Sequence, residues 1–443
     1  MSKSFVDIKT FFDSNSSRNV AQLGRIYDDK ELLYKSVKEL LFNHLLPSDF
    51  KDKRVLLKPN LVKQNETDWD DICLFTHPNL ILATLKAILE CGPKAIIVGD
   101  APIQDCHWEE MLHQDFYDEV EKLSKYYNTP ISVRDFRKVI FDSSTNQFGK
   151  SERTDNDYLI FDVGNRSWLE PITDEKIKFR VTNYDPDRMR LSHSKGIHRY
   201  CVAKEIFESD IVITMPKTKT HRMACLTNSL KILVGMNGDK DYLPHHRIGA
   251  KDQGGDCYKD HSILRSTAER LLDFANRHRG AFYFLPVRFI VRVLWRISLP
   301  NRGETMAATW WGNDTVWRMV MDLNLIANYG TKDGEMSTTP QRTLYTLCDA
   351  IVGGQKDGPL SPEPLASGAL FFSNDSYLSD EVAGNLFKLE LNRIPLLYQA
   401  RLQNEKKDYD IILNGKKVSM ADVRDIGIKA EVPSGWWNYK NGQ

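Results

Sequence analysis

Residues 54–98 constrain the fold more than any other stretch of this chain. The run Arg54-Val55-Leu56-Leu57-Lys58-Pro59-Asn60 is apolar for a few residues and is closed by a proline, which cannot continue a central strand, so it reads as a short buried strand. Residues 79–91 then place Leu80, Leu82, Ala83, Leu85, Ala87, Ile88 and Leu89 at the spacing of a largely buried helix, and Gly92 supplies the stop. Residues 94–98 make the next strand. A strand, a helix and a strand in this order form a right-handed parallel crossover, and a parallel sheet needs cover on both faces.

The pattern resumes with helix-like residues 203–207 before a strand at 211–214, and residues 344–347 and 369–372 read as two more buried strands. Between these parts, residues from about 105 to 190 are polar, with apparent strands at 131–133 and 158–163 among turn residues. The expected fold is α/β: a largely parallel sheet with helices on both faces, interrupted by a polar insertion and a helical segment. In chain order this gives an N-terminal extension (1–50), an α/β core (51–260) with its insertion at about 105–190, a helical segment (261–335) and a C-terminal α/β part (336–443) returning to the core.

Lys plus Arg and Asp plus Glu both number 60 among 443 residues, so no global field draws the chain to a nucleic acid polymer and electrostatic recognition must be local. Residues 1–19 lack a signal-type apolar core, and no later run approaches the ~18 apolar residues of a membrane span, so a cytoplasmic protein without a transmembrane segment is expected. The seven cysteines are scattered and form no CxxC pair, which speaks against a disulfide scaffold, a zinc ribbon or an iron–sulfur cluster. Residues 263–299 combine apolar positions with Arg288, Arg292 and Arg296. They read as a helix packed on the sheet or on a subunit partner in a homo-oligomer, with an interfacial membrane helix as the alternative.

In open parallel sheets ligands bind beyond the carboxyl ends of the strands, and here those ends are polar. Lys58 and Asn60 follow the first strand; Asp100 follows the second. Lys217, Lys219 and His221 follow residues 211–214, Asp349 follows 344–347, and Asp375 follows 369–372. Lysines brought together in this way without an anion would suffer repulsion and desolvation, so an anionic ligand is expected among Lys58, Lys217, Lys219 and Lys231. Thr227-Asn228-Ser229 can cap a short helix whose free N–H groups favour an anion, with Lys231 on its first turns. His245 and His246 would point apart in a strand, with Arg247 beside them. Asp314, Arg318 and Asp322 fall on one helical face, either as structural ion pairs or as a row presented to a ligand or Mg²⁺. Residues 353–359 read as a glycine-rich turn.

Together these segments resemble the domain of unknown function 362 family. The likeness is carried by Leu56-Leu57-Lys58-Pro59-Asn60-Leu61, Thr76-His77-Pro78, Val98-Gly99-Asp100, Pro216-Lys217-Thr218-Lys219-Thr220-His221, Leu226-Thr227 through Gly235, Asn313-Asp314-Thr315 through Asn324, Asp349 through Pro359, and Asp380. It spans most of residues 54–390, and the lysine–histidine segment is its most specific part. The resemblance implies no particular reaction. Some relatives carry ferredoxin-like clusters, whose cysteines this chain lacks. More distantly, the chain is similar to the lactate racemase family that uses a nickel-pincer nucleotide. There a strand ends near a histidine, a lysine ten positions on holds the cofactor, and a metal-ligating histidine lies downstream; His221, Lys231 and then His245 or His246 match that spacing, while Asn228-Ser229-Leu230 replaces the Gly-Gly pair.

The resulting expectation is an enzyme acting on a phosphorylated, nucleotide-linked or carboxylated small molecule. Lys58, Asn60, Lys217, Lys219, Thr227, Arg247 and Arg318 would bind the anion; His221, Lys231 and Asp100 would be catalytic. His245, His246 and Asp349 would hold a divalent metal, Mg²⁺ or Ni²⁺. The alternatives are a nickel-pincer-type racemase or epimerase and a noncatalytic anion sensor or assembly factor.

Overall fold

A computed structural model describes residues 3–12, 18–67, 69–142, 147–176 and 178–441. The crossover read from the sequence is present: strand Arg54–Pro59, helix Pro78–Leu89 and strand Ala95–Asp100, with the two strands parallel. Gly92 closes the helix at φ +67°, a conformation that costs a glycine little. Strands Ile211–Met215, Leu344–Asp357 and Ile131–Asp135 extend the parallel block, so it runs in space as 344, 211, 54, 95, 131 by first residue. Ala369–Ser373 joins the other side of Leu344–Asp357 antiparallel.

Two regions differ from the sequence reading. The N-terminal segment is more than an extension: Ser4–Thr10 inserts between Ala369–Ser373 and Tyr409–Leu413 as a strand of the main sheet, and helix Lys30–Phe42 packs with Pro78–Leu89. Residues 353–357 are the end of a 14-residue strand paired with Ser361–Leu365, not a turn. The glycines there serve packing, since a Cβ on Gly353 would lie 2.6 Å from the Phe387 ring. Within the expected insertion, Ile131–Asp135 is a strand of the main sheet, whereas Tyr158–Asp162 pairs with Ile197–Ala203 in a separate small sheet.

Alternation along the strands fills cores on both faces. Val55, Leu57, Ile213 and Leu347 meet the helices that carry Leu40, Leu85 and Phe116; Leu56 and Val212 meet helix Val316–Tyr329; Phe371 and Cys348 meet helix Ser376–Leu386. The helical segment comprises Ile263–Arg277, Phe284–Ile297 and Val316–Tyr329. Among the described residues no helix is long and apolar enough to cross a membrane.

Candidate functional site

The carboxyl ends of Arg54–Pro59 and Ala95–Asp100 open on a cavity of about 300 Å³. Its polar lining includes Asn60, Asp100, Gln104, His221, Thr227 and Lys231, joined by Lys240 and His245; Ile103, Met223, Ile232, Val234 and Leu243 are among its apolar walls. Among the described residues, three of its polar atoms are buried without a hydrogen-bond partner: Asn60 Oδ1, Thr227 Oγ1 and Gln104 Nε2. Such orphans cost ~1–3 kcal/mol each unless water or a ligand meets them.

Asp100 anchors the floor. Lys58 Nζ donates to its Oδ1 at 2.6 Å and the Leu61 N–H to its Oδ2 at 2.7 Å, with both charged side chains buried. Burial raises the Asp100 pKa and lowers that of Lys58, each opposed by the partner's charge. Gly235 packs over the pair, and a Cβ there would lie 2.0 Å from Asp100 Oδ1. Lys58 is therefore the counter-ion of Asp100 rather than a free anion ligand.

Lys231 differs. It opens the 3₁₀ turn Lys231–Met236, lines the cavity, and has no hydrogen-bond partner among the described residues; burial alone lowers its pKa to about 8, which leaves it mostly charged at neutral pH. Lys240 reaches the same space while donating to the Ala101 and Asn237 carbonyls at 3.0 and 3.1 Å, and burial takes its pKa to about 7. The sequence reading missed Lys240 because Asp239 and Asp241 flank it and suggest a neutralised surface turn. In the structure Asp241 accepts from Arg188 and the Asp239 side chain caps the Asp241 N–H.

The two cavity histidines are held in opposite tautomers by backbone groups whose roles are fixed. At His221, Nδ1 accepts from the Met223 and Ala224 N–H groups at 3.0 and 3.2 Å, so Nε2 must carry the ring proton. At His245, Nδ1 sits 2.7 Å from the Leu243 carbonyl, which can only accept, so Nδ1 carries the proton and Nε2 keeps a lone pair. Both rings stay neutral: burial lowers the His221 pKa well below its usual value, and burial with Lys231 lowers that of His245 to about 4. His221 is a donor, and His245 has the accepting nitrogen.

Lys217, Lys219, Arg247, Arg318 and Asp349 lie outside this cavity. Lys217 donates to Asp349 Oδ2 at 2.8 Å and to Tyr27 Oη at 2.9 Å, and Asp349 also accepts from Tyr27 and the His77 N–H, so its oxygens are engaged. Lys219 donates to the Leu74 carbonyl, and burial lowers its pKa to about 7. The expected capped helix at 227–229 does not form: Thr227 ends a strand, Asn228 accepts from Thr218 and the Ser229 hydroxyl meets Thr346. Arg247 pairs with Asp256 and Arg318 with Asp314, while Asp322 turns inward to Ser167 and Tyr200.

His245, His246 and Asp349 do not make one metal set. His246 faces away from the cavity, with Cys257 and Glu269 ligand atoms within 4.8 Å, and Glu269 is already held by Arg180 at 3.2 Å and Tyr258 at 3.1 Å. Nor does His221 fit the accepting histidine of the nickel-pincer arrangement, because its Nε2 is protonated while Nδ1 receives two backbone N–H groups.

The family profile described as "Domain of unknown function (DUF362)" matches residues 133–385, a segment holding His221, Lys231, Lys240 and His245, while Asn60 and Asp100 precede it. Comparison with curated proteins finds no match. Among solved structures, a protein from Thermotoga maritima aligns at a TM-score of 0.30 and 11% identity, covering 76% of this chain and 56% of its own.

Proposed function

The chain belongs to the DUF362 family, and on that premise we propose that it is an enzyme that binds a small anionic molecule in the 300 Å³ cavity and moves a proton on it. Lys231, aided by Lys240, holds the anionic group. His221 donates a hydrogen bond through Nε2–H, and Nε2 of His245 accepts the substrate proton. Asn60, Thr227 and Gln104 offer the remaining hydrogen bonds. The Lys58–Asp100 pair stays internally neutral and fixes the loop after the first strand.

One observation carries this reading: a buried lysine with no hydrogen-bond partner among the described residues and two histidines of opposite tautomer line the same space. A noncatalytic anion sensor would need the lysine alone, so the poised lone pair of His245 favours an enzyme. The apolar walls favour a carboxylate or phosphate ester with a short hydrocarbon body. Isothermal titration with a panel of such anions tests it. The expected result is one site per chain that Lys231→Ala weakens at least ~10-fold; binding that Lys231→Ala leaves unchanged would remove the anion from this cavity.

A further inference from the structure

Helix Phe284–Ile297 is amphipathic in an inverted sense. Its buried side, through Val291 and Trp295, packs on Ala268 and Leu272 of helix Ile263–Arg277. Its other side shows a four-residue stripe of Leu285, Phe289, Val293 and Ile297 to solvent. Phe282 at 93% and Leu299 at 83% exposure extend that stripe at either end. Soluble surfaces rarely leave so many bulky apolar side chains contiguous and bare. The sequence reading places this helix on the sheet or on a subunit partner; within the chain its buried side packs on helix Ile263–Arg277, and this face is exposed.

A second stripe, Arg288, Arg292 and Arg296, runs beside the first. Of these, Arg292 and Arg296 are exposed, and no Asp or Glu lies in the sequence between Phe274 and Gly303, while Arg277 farther along is already paired with Asp187. The occupant of the face must therefore be apolar at its centre and anionic at its border. A second copy of the chain fits poorly, because a two-fold contact through the stripe sets the same arginines against one another. An anionic lipid surface supplies both chemistries at once, acyl chains for the leucine and phenylalanine stripe and headgroup phosphates for the arginines.

We propose that residues 282–299 dock this protein on an anionic lipid bilayer. The position of the face fits that role. A concavity lined by Arg279, Phe284, Leu285, Arg288 and Arg292 also touches Gln104, Asn183 and Tyr184, three residues that line the cavity described above. Docking thus sets against the membrane a concavity that shares three lining residues with the cavity. The docking inference stands independently of the chemistry assigned to the cavity.

The test is co-sedimentation of the full chain with vesicles of phosphatidylcholine alone or with about 30% phosphatidylserine. The expected result is binding to the anionic vesicles only, weakening as salt rises. Leu285→Asp/Phe289→Asp should lower the partition coefficient at least ~10-fold, and Arg292→Gln and Arg296→Gln roughly fivefold each. All four side chains are exposed, and circular dichroism checks that the fold is kept. Lys231→Ala should bind vesicles as the parent does, which separates this proposal from the cavity reading. Absence of binding to anionic vesicles would overturn it. So would vesicle binding unchanged in Leu285→Asp/Phe289→Asp, or a dimer in sedimentation velocity that this variant dissociates while vesicles stay bare.

Discussion

Replacing Lys58 by methionine tests the buried charge pair that organises the cavity floor. Methionine keeps most of the lysine's volume and removes its charge, leaving the Asp100 carboxylate buried with the Leu61 N–H as its remaining hydrogen-bonded partner. Stranding one member of a buried pair costs about 3–5 kcal/mol. Protonation sets an independent ceiling. A carboxyl with an unfolded pKa of ~3.9 takes up its proton near pH 7 at a cost of ~4 kcal/mol, from about 1.4 kcal/mol per pH unit. In the variant the folded pKa of Asp100, already raised by burial, rises further. The folded state then holds the proton more tightly than the unfolded one, so stability falls as pH rises above the unfolded pKa, and the deficit should shrink to ~1.5 kcal/mol near pH 5. Lys58→Met/Asp100→Asn removes both charges and should recover all but ~1–2 kcal/mol. Urea unfolding followed by tryptophan fluorescence measures each quantity. A loss below ~1 kcal/mol near pH 7, or a deficit that grows on acidification, would refute a buried and mutually dependent pair.

Lys231→Ala should weaken anion binding by ~10- to 150-fold, the worth of one charged hydrogen bond of 1.5–3 kcal/mol, with little change in unfolding midpoint because the lysine has no protein partner to strand. Once a substrate is identified by binding, His245→Gln should lower kcat by ~10²- to 10⁴-fold, whereas His221→Gln should act mainly on KM; steady-state kinetics of both variants separate acceptor from donor. The pH profile of kcat/KM should rise through the His245 value of about 4 as its lone pair is freed, and fall through the Lys231 value of about 8 as the ammonium deprotonates. A rise centred near an unperturbed imidazole would assign the base elsewhere.

The crossover at 54–98 was legible because strands buried on both faces read as continuous apolar runs, and Pro59 and Gly92 punctuate them. Ser4–Thr10 was not legible as a sheet strand. Its neighbours, Ala369–Ser373 and Tyr409–Leu413, lie at the far end of the chain, and nothing local announces that pairing. The site was legible as a set of charged strand ends, and Asn60, Asp100, His221, Thr227 and Lys231 do line one cavity. Which lysines remain free was hidden, because the partners Asp100 and Asp349 lie 42 and 132 positions from Lys58 and Lys217. The roles of the histidines were hidden more deeply. They depend on whether a backbone N–H or a backbone carbonyl faces Nδ1, which is a property of the local turn and not of the residue type.

The tautomers of those two rings carry the proposed division of labour and can be read without a substrate. A long-range ¹H–¹⁵N correlation spectrum of protein labelled at its 11 histidines, assigned with His221→Gln and His245→Gln, reports which nitrogen of each ring bears the proton. The account predicts a neutral His221 protonated at Nε2 and a neutral His245 protonated at Nδ1. A proton on Nδ1 of His221, or on Nε2 of His245, would contradict it and take the proton acceptor away from His245.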